Sequence, residues 1–238
     1  MQVAVRDAVV EECPVANERL QGGTTGVTTG KGRRHSEWFS LAVIALLMTV
    51  GRSSLADHYY VPSGSMENSL FPGDRVVVDK TAYGVRFPLT TMDLFGATAP
   101  KRGDIAVFDS PLDDTLLIKR IVAVGGDLVR LQDGRLSING RELALPLDRG
   151  SDMRLSVTSA EVVVERFESR RAWLNLGAGG GPDIDDLHVP PGMVLALGDH
   201  RGNSQDGRYF GLIPETELLG RAVRVYYRRG EGFVWREL

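Results

Sequence analysis

Two serines on a glycine turn and one lysine in an apolar run are the residues of this chain best suited to covalent chemistry. The turn is residues 62–66 (PSGSM), and Lys119 lies in residues 117–120 (LIKR). A serine hydroxyl attacks a carbonyl efficiently only when a base takes its proton, and a neutral lysine can supply that base. Ser65 and Lys119 therefore indicate acyl-transfer chemistry, such as hydrolysis of a peptide bond.

The serine turn offers a second property that acyl transfer needs. Gly64 permits a positive φ, which would leave backbone N–H groups exposed beside Ser65. Such groups could stabilise an oxyanion next to the nucleophile. A Ser-Gly-Ser sequence taken alone is more often an ordinary loop, so both interpretations stay open here.

The surroundings of Lys119 favour a buried amine. In the run 116–124 (LLIKRIVAV), strand alternation puts Lys119 on the same face as Leu117 and Ile121. To act as a base near pH 7, its pKa would have to fall from about 10.4 to near 7, roughly 4 kcal/mol of destabilised charge. The alternative is an edge strand in which Lys119 and Arg120 both extend into water.

The histidines are weaker candidates for the base. Three of them lie in the N-terminal region, beside an apolar segment and in a loop-rich region: His35, His58 and His188. His200 is the serious competitor, although a hydrogen-bonded turn histidine is the plainer interpretation. The sequence has no histidine or carboxylate cluster with metal-ligand spacing, so it predicts no metal and no cofactor.

Composition limits the function classes. The 238 residues are 42% hydrophobic, enough for one core or for one core and a small lobe. The net charge of −3 gives no large basic surface, and we expect no nucleic-acid partner. Cys13 is the single cysteine, which excludes disulfides within the chain and zinc sites built from cysteine clusters.

The N-terminal region predicts a tail followed by a membrane anchor. Residues 1–37 include a Gly/Thr-rich stretch at 21–32 and are expected to form a flexible cytoplasmic tail. Basic residues at 31–34 precede an uncharged run at 38–51, an order that keeps the N-terminus in the cytoplasm. This run is shorter than the ~20 residues that span a bilayer. If Arg52 snorkels and the helix continues to about Ala56, the span approaches ~20 residues. A transmembrane helix over 38–57 is therefore the prediction, and a cleaved signal peptide or a buried helix is the alternative.

Beyond residue 57 the pattern is that of short strands. Strands are expected at 75–78, 104–108, 116–124, 194–197 and 222–227, with a hairpin over 128–139 that turns at Asp133-Gly134. No long amphipathic helix is predicted. The expected fold is mainly β, with antiparallel sheets forming a partly closed, barrel-like domain over 58–238. A small lobe is expected as an insertion at about 147–190.

Five blocks of sequence, taken together in their order and spacing, carry a family resemblance. They are 61–70 (VPSGSMENSL), 73–80 (GDRVVVDK), 101–108 (KRGDIAVF), 118–127 (IKRIVAVGGD) and 198–211 (GDHRGNSQDGRYFG). Together they resemble the bacterial type I signal peptidases, which are membrane-anchored serine proteases with a Ser/Lys dyad. The resemblance covers about residues 38–228.

The resemblance implies roles for individual residues. Ser65 would be the nucleophile and Lys119 the general base, with the Ser65 N–H and the Ser63 hydroxyl as the oxyanion hole. A supporting set would contain a serine that orients the lysine and an ion pair near the site: Ser204, Asp206 and Arg208. The shallow apolar substrate pockets would be lined by Val61, Met66, Leu70, Val107 and Ile118.

The chain departs from the family pattern at a few positions near the site. Asn68 and Ser69 stand where the family usually has Pro-Thr, and the loss of the proline frees the turn. Leu117 stands where an aromatic residue is common. His200 and Gly202 stand where Asn and Asp are common. None of these changes removes Ser65 or Lys119.

The resemblance also implies a function and its partners. Enzymes of this family remove signal peptides from exported preproteins at the outer face of the cytoplasmic membrane, cutting after small residues at −1 and −3. The implied partners are signal peptides and the lipid bilayer, with the secretion translocon as a further candidate. Two alternatives remain, a soluble self-cleaving Ser/Lys protease of the repressor type and a catalytically inactive, membrane-tethered peptide-binding β module.

Overall fold

The computed structural model describes residues 38–44, 56–84, 98–113, 115–145, 162–168 and 170–238. The chain divides into two units, Met1–Ile44 and Ala45–Leu238. In the first unit, residues 38–44 form a short helix, α1, with exposed side chains. No helix within the described ranges is long and apolar enough to cross a membrane. The predicted tail and most of the predicted anchor lie outside the described residues.

The second unit is built on antiparallel strands, numbered β1 to β15 in chain order. The largest sheet runs in the order β1-β2-β14-β3-β4-β12-β13, with β15 paired to β14. Its strands are β1 (Ala56–Tyr60), β2 (Arg75–Asp79), β3 (Ile105–Asp109), β4 (Leu116–Val124), β12 (Met193–Leu197), β13 (Ile213–Pro214), β14 (Leu218–Arg228) and β15 (Gly232–Glu237). Strand β1 thus begins at Ala56, just before the end of the segment predicted as an anchor.

Two smaller sheets complete the unit. One has the order β11-β5-β6-β7 and contains β5 (Leu128–Gln132), β6 (Arg135–Ile138), β7 (Arg141–Glu142) and β11 (Ile184–His188). The other has the order β10-β9-β8 and contains β8 (Ala144–Leu145), β9 (Val162–Arg166) and β10 (Arg171–Asn175). Between β12 and β13 lie a 3₁₀ turn, Arg201–Asn203, and a single helical turn, α2 (Gly207–Phe210).

The mainly β, antiparallel fold predicted from the sequence is confirmed. The β5–β6 hairpin turns at Asp133 and Gly134, whose φ angles of 49° and 75° suit a tight hairpin turn. The main sheet is an open path, because no pairing joins β1 to β13 in the part of the chain that the structure describes. The sheet is therefore not a closed barrel.

Strand β4 has apolar packing on both faces. Val122 belongs to one apolar cluster with β5, β6 and the β9–β10 hairpin, and Ile121 belongs to a second with Phe108. Ile118 packs against a third, which contains the turn between β1 and β2. Because both faces are covered, a polar side chain on β4 is withdrawn from water, and this burial sets the chemistry of Lys119.

Candidate active site

The segment between β1 and β2, residues 63–70, forms a chain of tight turns that we call the serine turn. Within it, the Glu67 N–H donates to the Gly64 carbonyl at 3.1 Å and the Leu70 N–H to the Met66 carbonyl at 2.8 Å. The Met66 and Leu70 side chains are fully buried in the third apolar cluster. The apolar residues therefore fix the turn to the core, and Ser65 directly precedes the buried Met66.

Gly64 serves this turn differently from the sequence expectation. It is not among the glycines with positive φ. A Cβ at this position would lie 2.5 Å from the Glu67 Oε1 atom, at the mobile end of a side chain. Glycine at position 64 therefore leaves space for the Glu67 carboxylate. It does not supply the positive φ that the sequence suggested.

Lys119 and Ser65 are in direct contact. The Lys119 Nζ donates to the Ser65 Oγ at 2.6 Å, and the side chains are buried, with exposed fractions of 3% for Lys119 and 8% for Ser65. The edge-strand alternative is wrong, because Lys119 and Arg120 both end in the interior. The structure brings the lysine amine, not a histidine, to the serine hydroxyl.

Burial also changes the protonation of Lys119. Loss of hydration lowers the pKa of the Lys119 amine to about 8, and this effect is opposed by the negative charges of Asp206 and Asp199. The Arg208 charge lowers the pKa further. A substantial fraction of Lys119 is thus neutral at a mildly alkaline pH, which is the form that can accept a proton.

Two donors lie next to the nucleophile. The Ser63 Oγ is 3.5 Å from the Ser65 Oγ. No acceptor for the Ser65 N–H is found among the hydrogen bonds of the described chain. A free N–H and a nearby hydroxyl are suited to stabilise negative charge that develops on a carbonyl oxygen beside Ser65.

The segment 198–204 lies against the serine turn. The His200 N–H donates to the Ser65 carbonyl at 3.0 Å. A Cβ at Gly198 would overlap the Ser204 Oγ and would lie 2.6 Å from the Ser65 carbonyl oxygen. Gly198 thus permits the two segments to approach closely, and Ser204 is part of this approach. Within the described residues, the buried Ser204 Oγ has no hydrogen-bond partner.

The His200 side chain points to a carboxylate, not to the serine. Its Nδ1 atom lies 3.2 Å from the Glu67 Oε2 atom. The competing interpretation of His200 as the base therefore lacks a contact with the Ser65 hydroxyl. Its contribution to the site is the backbone hydrogen bond to Ser65.

Asp206 and Arg208 form a buried ion pair. The Arg208 Nε donates to the Asp206 Oδ1 at 2.8 Å, and both side chains are fully buried. Asp206 also accepts from the Gly198 N–H at 2.8 Å. Arg208 donates in addition to the carbonyls of Gly180 and Arg201, both at 2.6 Å. The pair fixes the backbone at Gly198, where the two segments of the site meet.

Sequence reasoning missed two further buried ion pairs around the site. Arg120 pairs with Asp199 at 2.7 Å, and Arg201 pairs with Glu165 of β9 at 2.6 Å. The Arg120–Asp199 pair could have been suspected from the sequence, because Arg120 is next to Lys119 and Asp199 lies in the last sequence block. Glu165 gave only a weak signal, an acidic residue directly after a valine run. Burial raises the pKa of the Glu165 carboxyl, and the Arg201 charge opposes this.

A small apolar cavity of about 30 Å³ lies between β1, β2, β3 and β4. Among the pocket residues expected from the sequence, Val61, Val107 and Ile118 line it. Met66 and Leu70 do not line it and lie in the apolar cluster that includes Val61 and Val107. A cavity of this size accommodates only a small side chain.

No group of His, Cys, Asp and Glu residues that could hold a metal ion is found within the described ranges.

Comparisons with known proteins give the family. The model of the family described as signal peptidase, peptidase S26, matches residues 35–227. Signal peptidase I of Pseudomonas fluorescens is 34% identical over 200 residues, which cover 77% of this chain and 69% of that protein. Signal peptidase I of Pseudomonas aeruginosa is 31% identical over 244 residues, which cover 92% of this chain and 78% of that protein.

A solved structure of a signal peptidase I from Enterococcus faecalis is 27% identical, covers 53% of this chain and 98% of its own, and has a TM-score of 0.36. The family rests on the sequence matches, since the family model covers most of the chain and the two relatives exceed 30% identity. The chain belongs to the signal peptidase family, peptidase S26.

Proposed function

We propose that this protein is a membrane-anchored serine endopeptidase that removes N-terminal signal peptides from exported preproteins, with Ser65 as nucleophile and Lys119 as general base. The observation that carries the proposal is the 2.6 Å contact between the Lys119 amine and the Ser65 hydroxyl. The low pKa of Lys119, about 8, supports its role as a base. The two relatives named signal peptidase I support the substrate class.

The reaction follows from this pair. Neutral Lys119 takes the Ser65 proton while the Ser65 Oγ attacks the scissile carbonyl carbon. The carbonyl oxygen becomes negative and accepts hydrogen bonds from the Ser65 N–H and the Ser63 hydroxyl. The Lys119 ammonium then donates its proton to the leaving amine, and the C–N bond breaks. The result is an ester between the signal peptide and Ser65.

Water completes the cycle. Lys119, neutral again, takes a proton from the water that attacks the ester carbonyl. Collapse of the second tetrahedral intermediate returns the proton from Lys119 to the Ser65 oxygen and releases the signal peptide. In this scheme Ser204 orients the lysine, and its buried hydroxyl without a partner is available to accept from the ammonium. The Asp206–Arg208 ion pair holds the segment 198–204, which contains Ser204, because Asp206 accepts from the Gly198 N–H.

The substrate would bind as an added strand. Strand β4 pairs with β3 over Leu116–Arg120, whereas its pairing with β12 begins only at Arg120. Within the described residues, the second edge of Leu116–Lys119 is therefore unpaired and can accept the backbone of an extended peptide. The cavity beside this edge supports a preference for small side chains at −1 and −3, with Val61, Val107 and Ile118 as its walls.

We also propose that one face of the main sheet lies against the bilayer. Tyr60, Arg75, Tyr227 and Phe233 are successive cross-strand partners on β1, β2, β14 and β15. The aromatic residues among them are exposed, and Trp235 stacks on Phe233 with ring centroids 6.3 Å apart. Aromatic rings with arginines beside them suit the boundary between lipid and water. We call these four aromatic residues, Tyr60, Tyr227, Phe233 and Trp235, the aromatic face.

The proposed organisation keeps the boundaries expected from the sequence. Residues 1–37 form a cytoplasmic tail and 38–57 a transmembrane anchor, although β1 already begins at Ala56. Residues 58–238 form an antiparallel β catalytic domain on the outer face of the bacterial cytoplasmic membrane. The small lobe at about 147–190 would include β9, β10 and β11. Signal peptides, the lipid bilayer and the secretion translocon are the proposed partners.

Cleavage of a model preprotein by the full-length chain in detergent tests the proposal. Ser65→Ala and Lys119→Ala should each lower kcat by at least ~10³-fold, as expected when a nucleophile or its base is removed. Ser137→Ala and Lys101→Ala, on other parts of the domain, should cleave like the unmodified enzyme. Cleavage that persists in Ser65→Ala excludes the proposal. Binding of the preprotein without any cleavage by the unmodified chain favours an inactive peptide-binding module.

A further inference from the structure

We propose that Asn68 is a positioning residue for the nucleophile, and that its side-chain amide ties the serine turn to strand β10. The inference rests on the proposed function, since it concerns the placement of Ser65. The inference assigns a role to the β9–β10 hairpin, which contributes neither the Ser65–Lys119 pair nor the two proposed oxyanion donors.

The tie is a buried long-range hydrogen bond. Asn68 is 2% exposed, and its Nδ2 donates to the Leu174 carbonyl of β10 at 3.2 Å. The two residues are 106 positions apart in the sequence, whereas Asn68 follows Ser65 by three positions. The bond therefore joins the segment that carries the nucleophile to a separate sheet.

Strand β10 holds the opposite side of the site as well. The Asn175 N–H donates to the Asp199 carbonyl at 2.9 Å, and the next residue, His200, donates its N–H to the Ser65 carbonyl at 3.0 Å. Asn175 and His200 form an isolated bridge. Two consecutive residues of β10, Leu174 and Asn175, thus contact the two segments that meet at Ser65.

The backbone of the serine turn shows why a side-chain tie is useful at position 68. The N–H groups of Glu67, Ser69 and Leu70 donate within the turn, and no acceptor is found for the Asn68 N–H in the described part of the chain. The turn is thus without a backbone hydrogen bond from this residue. A proline at this position would stiffen the backbone and would need no N–H acceptor. The Asn68 amide replaces that local stiffness with a tertiary contact.

The surroundings of Asn68 make it a suitable position for substitution. Asn68 lines a cavity of about 290 Å³ together with Ser69, Arg120 and Trp173. Its Oδ1 atom is buried and, among the described atoms, has no hydrogen-bond partner. The donor to Leu174 is therefore the polar contact that a shorter side chain would lose. Truncation extends an existing cavity and leaves the apolar anchors of the turn, Met66 and Leu70, in place.

The experiment compares Asn68→Ala, Asn68→Pro and Asn139→Ala in the full-length protein. Asn139 is a control for the loss of an amide hydrogen bond elsewhere in the domain, since its exposed side chain donates to Asp127 at 3.0 Å, away from the serine turn. Cleavage of a model preprotein is measured at pH 9, where Lys119 is largely neutral, and hydrogen exchange is followed over residues 63–70. We expect Asn68→Ala to lower kcat about tenfold, the effect of one lost hydrogen bond, with little change in KM. Exchange in the turn should become faster.

Rescue by proline separates positioning from stability. Asn68→Pro should recover kcat to within about threefold of the unmodified enzyme and slow the exchange again, because proline restricts the same backbone. Asn139→Ala should lower the melting temperature without lowering kcat. Unchanged kcat in Asn68→Ala overturns the inference, as does an equal kcat loss in Asn139→Ala or a failure of Asn68→Pro to improve on Asn68→Ala. If the unmodified chain does not cleave, the proposed function fails, while exchange over 63–70 still tests the tie.

Discussion

Arg120 and Asp199 are joined by two parallel hydrogen bonds, from Nε to Oδ1 at 2.8 Å and from Nη2 to Oδ2 at 2.7 Å. Both side chains are buried. Arg120 follows Lys119 in β4, and Asp199 precedes His200, whose N–H holds the Ser65 carbonyl. The ion pair therefore links the strand of the lysine to the segment that supports the serine.

Removing the charge of Asp199 should destabilise the protein strongly. Asp199→Asn removes the hydrogen-bonded ion-pair partner of the buried Arg120 guanidinium, and such losses cost about 3 kcal/mol or more. The exposed pair Arg130–Asp186 is the matched control, because Asp186→Asn should cost under about 1 kcal/mol. Denaturant unfolding in detergent, followed by tryptophan fluorescence, measures both. Equal losses for the two variants would show that burial adds nothing to the Arg120–Asp199 pair.

The pH dependence of cleavage should report Lys119. The reactive form is the neutral amine, so kcat/KM should rise with pH and level off above the Lys119 pKa of about 8. A base with the ordinary pKa of a free histidine would instead place the midpoint of the rise near pH ~6.5. Initial rates from pH 6 to 10 on a model preprotein distinguish the two profiles. A His200→Ala variant should keep the inflection of the unmodified enzyme, and a plateau already reached at pH 7 contradicts the prediction.

The low pKa of Lys119 also makes stability depend on pH. The unfolded chain, with a lysine pKa near 10.5, binds a proton that the folded chain releases at about 8. The penalty for burying Lys119 is therefore complete below pH 8 and fades between pH 8 and 10.5. Lys119→Met, which keeps the volume, should be more stable than the unmodified protein by about 3 kcal/mol at pH 7.

The difference between these two proteins should vanish above pH ~10.5, where lysine is neutral in both states. Unfolding curves at pH 7, 9 and 11 provide the measurement. Lys101→Met, at an exposed position, is the control and should show no such trend. A gain in Lys119→Met that is equal at pH 7 and pH 11 would mean that packing, not charge, causes it.

The aromatic face should matter in lipid and not in detergent. We expect Phe233→Ala and Trp235→Ala to lower kcat/KM about tenfold when the full-length chain is reconstituted in vesicles, because the active site then loses its placement at the lipid surface. In detergent the same variants should cleave normally. Leu145→Ala removes an exposed apolar side chain from a different sheet and should have no effect in either medium. Equal activity of all variants in vesicles argues against the aromatic face.

The strands could be predicted where the sequence itself carries their pattern. Strands β2, β3 and β4 are β-branched runs with covered faces, and their predicted ranges are confirmed within one residue. Strands β9 (VVVER) and β10 (RAWLN) were missed although they contain apolar residues, because residues 147–190 were expected to form an inserted small lobe. The two-residue strands β7, β8 and β13 were also missed. Three longer strands were missed for a different reason: β1 (ADHYY), β11 (IDDLH) and β15 (GFVWRE). These three are polar or mixed, and they become strands by pairing with a partner already in place, which is a property of the fold.

Only part of the site could be predicted from the sequence. Ser65 and Lys119 lie 54 residues apart, and from the residues alone each had an ordinary alternative. The ordered sequence blocks connected them. The contacts of Asn68 with Leu174 and of Arg201 with Glu165 could not be predicted, because both depend on where the β9–β10 hairpin packs.

The unpaired edge of β4 at Leu116–Lys119 exposes the protein to a general hazard of β-sheets. An open strand edge pairs with any extended chain, including another copy of the same protein, and can begin aggregation. Here the open segment is short. Two acidic residues lie just before it in the chain: Asp109 ends β3, and Asp113 lies in the loop that leads to β4. Acidic residues beside the edge would discourage a second β4 edge with the same charges. Under the proposed function, this edge stays open to incoming peptides while self-association is limited.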